Sequence, residues 1–295
     1  MLFSYGVTVQ GADHKKEGTV CQDSHEIRKC SEKLIIAAVA DGLGTEKYSD
    51  IASRIAAECA VEYCEGRIRE TDDEDKVLSV IRQAFDLSLR KIRDEAQNEE
   101  HDENQYDTTL SLAILIGDEL YVGHSGDSGI IALCRDGRYE AVTQQQRDDY
   151  DHVFPLACTD RWEFFRFKKR VSSVLLATDG IYEIFTPYVL RDQAEPFYVL
   201  LGEFFMNPRI LFENNQTEND VQSMMEEIIA DLSEEAVTDD KTLVVIGQID
   251  NTPDRQPDDY YAMPDWENLE RSKKEKFRRE AYPSLYEKSE DELIE

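Results

Sequence analysis

Four aspartates sit where a strand-like run meets a turn. Asp41-Gly42 follows Leu34–Ala40, and Asp127 follows Tyr121-Val122-Gly123-His124-Ser125-Gly126. Asp179-Gly180 follows Val174-Leu175-Leu176-Ala177-Thr178, and Asp239-Asp240 precedes Lys241-Thr242-Leu243-Val244-Val245-Ile246. A single Asp-Gly after a strand is usually only a turn, because both residues suit turn backbones. The set says more than its members. In an antiparallel sheet the end of one strand lies beside the start of its neighbour. Asp41 and Asp179, which close strands, and Asp239, which opens one, can therefore converge on one edge of a sheet. Carboxylates crowded there repel unless cations neutralise them. Hard divalent ions that take oxygen ligands, Mg²⁺ or Mn²⁺, meet that need. The bare backbone of Gly42 would let its carbonyl approach such an ion. The expectation has a condition: the carboxylates must meet, and Lys or Arg partners must not consume them.

The elements that must position these residues are short strands mixed with amphipathic helices. Leu34–Ala40, Leu110–Ile116, Glu119–Val122, Ile130–Cys134, Val171–Ala177 and Thr242–Ile249 are aliphatic runs bounded by Gly, Asp or Lys. Gly117-Asp118 and Arg135-Asp136-Gly137-Arg138 read as hairpin turns, which implies antiparallel pairing. Ser49 is placed to cap a helix with Ile51, Ile55, Cys59 and Tyr63 on its inward face. Val77, Ile81, Phe85, Leu89 and Ile92 mark a second helix. A third runs from Val221 to about Leu232, with Met224, Met225, Ile228 and Ile229 inward. Strand pairs with helices to cover them predict an α+β layered domain.

Composition narrows the function. The 295 residues carry a formal charge of −30, and 41% are hydrophobic. That is enough apolar material for a core. The acid excess opposes binding to nucleic-acid phosphates and suits a protein that holds cations. The one dense basic stretch, Arg271 to Arg279, is interrupted by Glu275 and reads as a solvated helix face. The longest clean apolar run, Leu34–Ala40, is far shorter than the ~20 residues of a membrane span. The opening Met1-Leu2-Phe3-Ser4-Tyr5 lacks the basic start of a secretory signal, so a cytoplasmic, membrane-free protein is expected. The six cysteines form no Cys-x-x-Cys pair and read as reduced thiols. After Ile249 the text turns polar, with Pro253, Pro257 and Pro264 close together. This predicts a domain over 1–249 and an acidic extension over 250–295: a loop, a helix from about Asp265 to Glu280, and a frayed end.

The motifs, in order, are Gln22-Asp23, Val39-Ala40-Asp41-Gly42-Leu43-Gly44, Thr108-Thr109-Leu110, Gly126-Asp127-Ser128, Ala177-Thr178-Asp179-Gly180 and Asp239-Asp240-Lys241-Thr242. This ordered set resembles the protein phosphatase 2C family of metal-dependent Ser/Thr phosphatases, and its bacterial branch in particular. The resemblance spans Met1 to Ile249. It implies a four-layer α-β-β-α sandwich: two stacked antiparallel sheets flanked by helices. It implies that Asp41 bridges two Mn²⁺ or Mg²⁺ ions, that the Gly42 carbonyl binds one of them, and that Asp179 and Asp239 complete the shell of the other. Asp239 is chosen over Asp240 because the family ligand stands three positions before the Thr or Ser, here Thr242. Asp127 matches the holder of a third, weaker ion in bacterial members. Asp23 matches an acid that acts through metal-coordinated water. The chemistry implied is attack on phosphorus by a water that two ions have ionised, with phosphorylated Ser/Thr proteins as substrates and a cognate Ser/Thr kinase as a further partner.

The sequence departs from the family pattern in places. No Arg stands shortly before Asp23, where many members grip phosphate; His14 and Lys15, followed by Lys16, are the nearest substitutes, weighed against a solvated basic turn. Leu43 replaces the His of animal members, Gly44-Thr45 reduces a Gly pair, and Gly129 replaces an Arg. His124 and His25 read as satisfied structural residues. The polar and aromatic stretch from Gln144 to Lys168 matches a flap that shapes substrate choice; it also suits a plain loop and edge strand with Trp162 and Phe164 inward. Two rival functions remain beside the phosphoprotein phosphatase: a catalytically silent member that binds phosphoproteins or kinases, and a hydrolase of small phosphoesters. For the tail, packing of Trp266, Leu269 and Phe277 onto the domain is preferred over partner docking.

Overall fold

Leu34–Asp41 is apolar on both faces, and the structure uses both. Ile36 and Ala38 face a helix-covered core, while Ile35, Ala37 and Val39 face a second sheet. This is the period-two alternation of a strand buried on each side. The computed structural model describes residues 1–193, 196–232 and 237–283. Its strands are β1 (Leu2–Val9), β2 (Asp23–Lys29), β3 (Leu34–Asp41), β4 (Leu110–Ile116), β5 (Glu119–Ser125), β6 (Gly129–Cys134), β7 (Tyr139–Ala141), β8 (Glu163–Arg166), β9 (Val171–Ala177) and β10 (Lys241–Gln248). They form two five-stranded antiparallel sheets, in the orders β1-β10-β9-β6-β7 and β2-β3-β4-β5-β8.

The helices are α1 (Ala12–Glu17), α2 (Ser49–Glu65), α3 (Glu74–Asn98), α4 (Asp179–Phe185), α5 (Val199–Met206), α6 (Pro208–Leu211), α7 (Glu218–Ala230) and α8 (Trp266–Ala281). α2 and α3 cover the outer face of the second sheet. α4, α5, α6 and α7 cover that of the first. Between the sheets lies a third core of Val39, Leu115, Val122, Ile130, Val174, Leu176, Val244 and Ile246. This is the expected α+β, α-β-β-α sandwich. β4 and β9 have the expected bounds, and both hairpins form: Gly117 and Gly137 adopt φ of 63° and 83°.

Two details of α2 correct the sequence expectation. Tyr48, not Ser49, is its N-cap, and no side chain caps it. The Ser49 hydroxyl instead donates to the Glu46 carbonyl at 3.0 Å. The inward face is Ala52, Ser53, Ala56, Ala57, Cys59 and Ala60, with Ile51, Ile55 and Tyr63 half-buried at its flanks. Small residues let a helix lie close to its neighbours. α3 follows its pattern: Asp73 accepts from the Lys76 N–H as N-cap, and Val77, Ile81, Phe85, Leu89 and Ile92 are buried. In α7, Val221, Met225 and Ile229 are buried, and Met224 and Ile228 pack partly.

The tail packs onto the first sheet's helical side. Tyr261 enters that core, the Tyr260 hydroxyl accepts from the Tyr139 N–H at 2.8 Å, and Trp266 meets Tyr198 edge-on at 5.1 Å. Phe277, expected to pack, is 64% exposed; it borders a shallow surface groove with Tyr188 and Val189 and is not part of the core. No helix among the described residues is long and apolar enough to cross a membrane.

Candidate metal centre

The carboxylates do not converge on the edge of one sheet, as expected, but at one end of the sandwich, contributed by both sheets. Asp41 ends β3 of the second sheet. Asp179 follows β9 and Asp239 precedes β10, both of the first. Asp127 lies in the link from β5 to β6, where the chain passes from one sheet to the other. Stacking the sheets therefore brings together residues that no single sheet could. One oxygen from each of Asp41, Asp127 and Asp179 lies within 4.8 Å of the others.

Backbone contacts hold each residue in place. The Asp41 N–H donates to Thr109 Oγ1 at 3.0 Å, and its carbonyl accepts from Thr108 Oγ1 at 2.9 Å and the Thr109 N–H at 2.8 Å. Thr109 Oγ1 reaches Ser128 Oγ at 3.0 Å, next to Asp127. Gly42 must be glycine for packing, since a Cβ there would sit 2.5 Å from the Ser49 carbonyl. At Gly180 a Cβ would lie 2.2 Å from the Asp240 carbonyl and 3.5 Å from Asp239 Cβ. The Asp179 and Asp239 segments thus touch through a bare backbone. Asp23 pairs with Asp41 across β2–β3 and accepts from Thr178 Oγ1 at 2.8 Å, the residue before Asp179.

The two neighbours Asp239 and Asp240 have different employment. Buried Asp240 accepts from the Gly11 and Gln22 N–H groups at 2.6 Å each, and its Oδ2 lies 2.9 Å from His14 Nδ1. It ties three chain segments together. Asp239, with Asp179, lines an open groove of about 780 Å³. His14 is thus placed against Asp240, and Lys15 is exposed on the same short helix.

Burial and mutual repulsion raise the proton affinity of the cluster. Burial, then Asp23, Asp179, Asp127 and Asp239, hold Asp41 well above the usual carboxylate range. Asp23 is raised chiefly by burial. Burial and Asp179 push Asp127 up to about 6, and the same two causes raise Asp239. Carboxylates kept this close, with only oxygen donors, form a set that a hard cation fits.

One residue was missed by the sequence reading. Arg147 Nη2 lies 2.6 Å from Asp127 Oδ2 and 3.1 Å from Asp179 Oδ2. The condition that Asp179 stay clear of basic partners therefore fails. Only the polar character of Gln144–Lys168 hinted at this segment's role; which side chain points inward depends on the loop's path. Gln146 pins that path, its N–H donating to the Gly126 carbonyl at 2.9 Å and its Oε1 accepting from the Gly126 N–H at 3.1 Å. Farther along, β8 forms the edge strand beside β5, with Phe164 and Trp162 packed against Phe85. His124 is fully buried between Ser111 Oγ at 2.8 Å and the Gln144 carbonyl at 3.0 Å, a structural role as expected.

Two stacked antiparallel sheets with helices outside make an α+β layered fold, and the carboxylate cluster at one end is a candidate cation site. The chain belongs to the protein phosphatase 2C family, whose model matches residues 10–212, and that family is one of protein phosphatases. Many solved structures share the fold, among them the following three. A bacterial serine phosphatase is 13% identical, with a TM-score of 0.60, covering 87% of this chain and 100% of its own. The serine/threonine phosphatase Stp1 from Staphylococcus aureus is 16% identical, with a TM-score of 0.59, covering 84% and 95%. The Mycobacterium tuberculosis serine/threonine phosphatase PstP/Ppp is 17% identical, with a TM-score of 0.57, covering 84% and 98%. No curated protein sequence matches the chain significantly.

Proposed function

We propose that the chain removes phosphate from phosphoserine and phosphothreonine in proteins, using two Mn²⁺ or Mg²⁺ ions. The observation that carries this reading is the meeting of Asp41, Asp127 and Asp179 within 4.8 Å, with Asp239 lining the adjoining groove. Asp41, Asp179, Asp239 and the Gly42 carbonyl would hold the ions. Such ions, when bound, supply an ionised water near neutral pH and positive charge for the phosphoryl oxygens. The chain's own residues do the positioning. Thr108 and Thr109 fix the Asp41 backbone, Thr178 orients Asp23 behind the cluster, and Asp240 anchors the segment that carries Asp239. Asp23 acts at one remove from the ions. No side-chain nucleophile is required.

The groove favours a polypeptide substrate over a small ester. From Asp179 and Asp239 it continues along Ile184, Pro187, Leu201 and Val237 to Tyr198 and Trp266, space that a small phosphoester would leave unused. The catalytic unit would be 1–249, and the extension 250–295 would add Trp266 to the groove wall. A cytoplasmic setting and a cognate kinase belong to this same reading.

One observation favours the silent-member reading: the Arg147 ion pairs within the cluster. Hydrolysis of a chromogenic phosphate ester with and without Mn²⁺ separates the two. The phosphatase reading expects Mn²⁺-dependent turnover. A folded protein that binds Mn²⁺ but turns nothing over would establish the silent one.

A further inference from the structure

Asp127 and Asp179 come from opposite sheets, yet a single nitrogen bridges them. Arg147 Nη2 stands 2.6 Å from the Asp127 carboxylate and 3.1 Å from that of Asp179. The same nitrogen is 3.6 Å from Glu183, one turn along α4, and Nη1 is 3.3 Å from Asp151 of its own loop. The Arg147 side chain is 22% exposed and that of Asp127 only 3%. A guanidinium cannot lose its charge in a protein. An ion pair so nearly removed from water is costly to break by removing one partner, because the remaining charge is stranded.

We propose that Arg147 is the resident cation of the Asp127–Asp179 pair and stands in place of a third divalent ion, so that the protein holds two ions where the aspartate pattern alone would allow three. The inference rests on the metal-centre reading above. One positive charge faces Asp127, Asp151, Asp179 and Glu183, so the surroundings stay acidic and the Asp41–Asp239 side of the cluster still calls for cations. An ion entering between Asp127 and Asp179 must first displace the guanidinium. Its apparent affinity is its intrinsic affinity multiplied by the fraction of molecules in which Arg147 has withdrawn. The loop makes withdrawal uphill. Gln146 is tied to Gly126 on both its backbone and its side chain, and Arg147 pairs with Val153 across the following turn.

The test counts ions. The full chain, Arg147→Gln, Arg147→Lys and the double variant Arg147→Gln/Asp127→Asn are dialysed to equilibrium against Mn²⁺, and bound metal is measured per chain, with circular dichroism to verify folding. The wild type should bind two Mn²⁺, Arg147→Gln three, and the double variant two again. Arg147→Lys, which keeps the charge, should stay at two. In the absence of metal, Arg147→Gln should melt below the wild type, and Mn²⁺ should raise its melting temperature more. Equal, non-zero counts in the wild type and a folded Arg147→Gln would overturn the inference and leave the metal centre standing. No Mn²⁺ bound by either protein would overturn both. If Arg147→Gln does not fold, a count of three in wild type or Arg147→Lys refutes the proposal, and two in both upholds it.

Discussion

At the scale of single residues, adjacent aspartates have opposite duties. Asp239 faces the groove with Asp179, whereas Asp240 spends its oxygens on the Gly11 and Gln22 N–H groups. Asp239→Ala should therefore cut turnover at least ~100-fold, the scale of loss seen when metal-site partners are removed, with little change in melting. Asp240→Ala should do the reverse in stability, costing roughly 1–3 kcal/mol for each donor left unpaired, read as a shift in the denaturation midpoint. His124 gives a pH signature. Burial lowers its pKa from 6.5 to about 4, so the unfolded chain takes up the proton first as pH falls. Stability is therefore lost between pH 6.5 and 4, by roughly 3 kcal/mol for such a shift. Denaturation of wild type and His124→Asn at several pH values should show a steeper acid loss in the wild type. Equal slopes would mean that His124 is not held neutral.

At the scale of elements, what the sequence made legible follows burial. β3, β4 and β9 are apolar on both faces, and their runs stand out. β2 does not, because Asp23-Ser24-His25-Glu26-Ile27-Arg28-Lys29 is a sheet edge with one aliphatic residue. β1 carries a fainter signal, the alternation of Phe3, Tyr5 and Val7 with Ser4, Gly6 and Thr8, as suits a strand at a sheet edge. In α2 the large residues Ile51, Ile55 and Tyr63 carry the helical period, but the small ones face inward. The aspartates were legible because each stands at the end of a legible strand. Arg147 was not, because nothing in local pattern fixes where a loop aims a side chain. The close approach of α2 to the end of β3 makes a specific demand at Gly42. Gly42→Ala would drive a Cβ to within 2.5 Å of the Ser49 carbonyl. It should cost about 1–3 kcal/mol, as overpacking does, and weaken Mn²⁺ binding with it; melting curves with and without Mn²⁺ would show both.

At the scale of the whole molecule, the two sheets act as one scaffold that brings Asp41 to Asp179, and the tail adds to what that scaffold presents. Trp266 stacks edge-on with Tyr198 and lines the groove. Trp266→Ala should raise KM for a phosphopeptide several-fold and leave a small phosphate ester unchanged; equal effects on both would place the groove outside substrate binding. The formal charge of −30 should favour phosphopeptides with basic flanks over acidic ones, a preference that shrinks as salt screens the field. The measurement that bears most directly on the whole account is hydrolysis of a chromogenic phosphate ester by the wild type, Asp41→Ala and Asp179→Ala, each folded, across a Mn²⁺ titration. The account predicts turnover by the wild type that rises from baseline with Mn²⁺ and is lost in both variants. Turnover that needs no metal, or that survives in both variants, would contradict it.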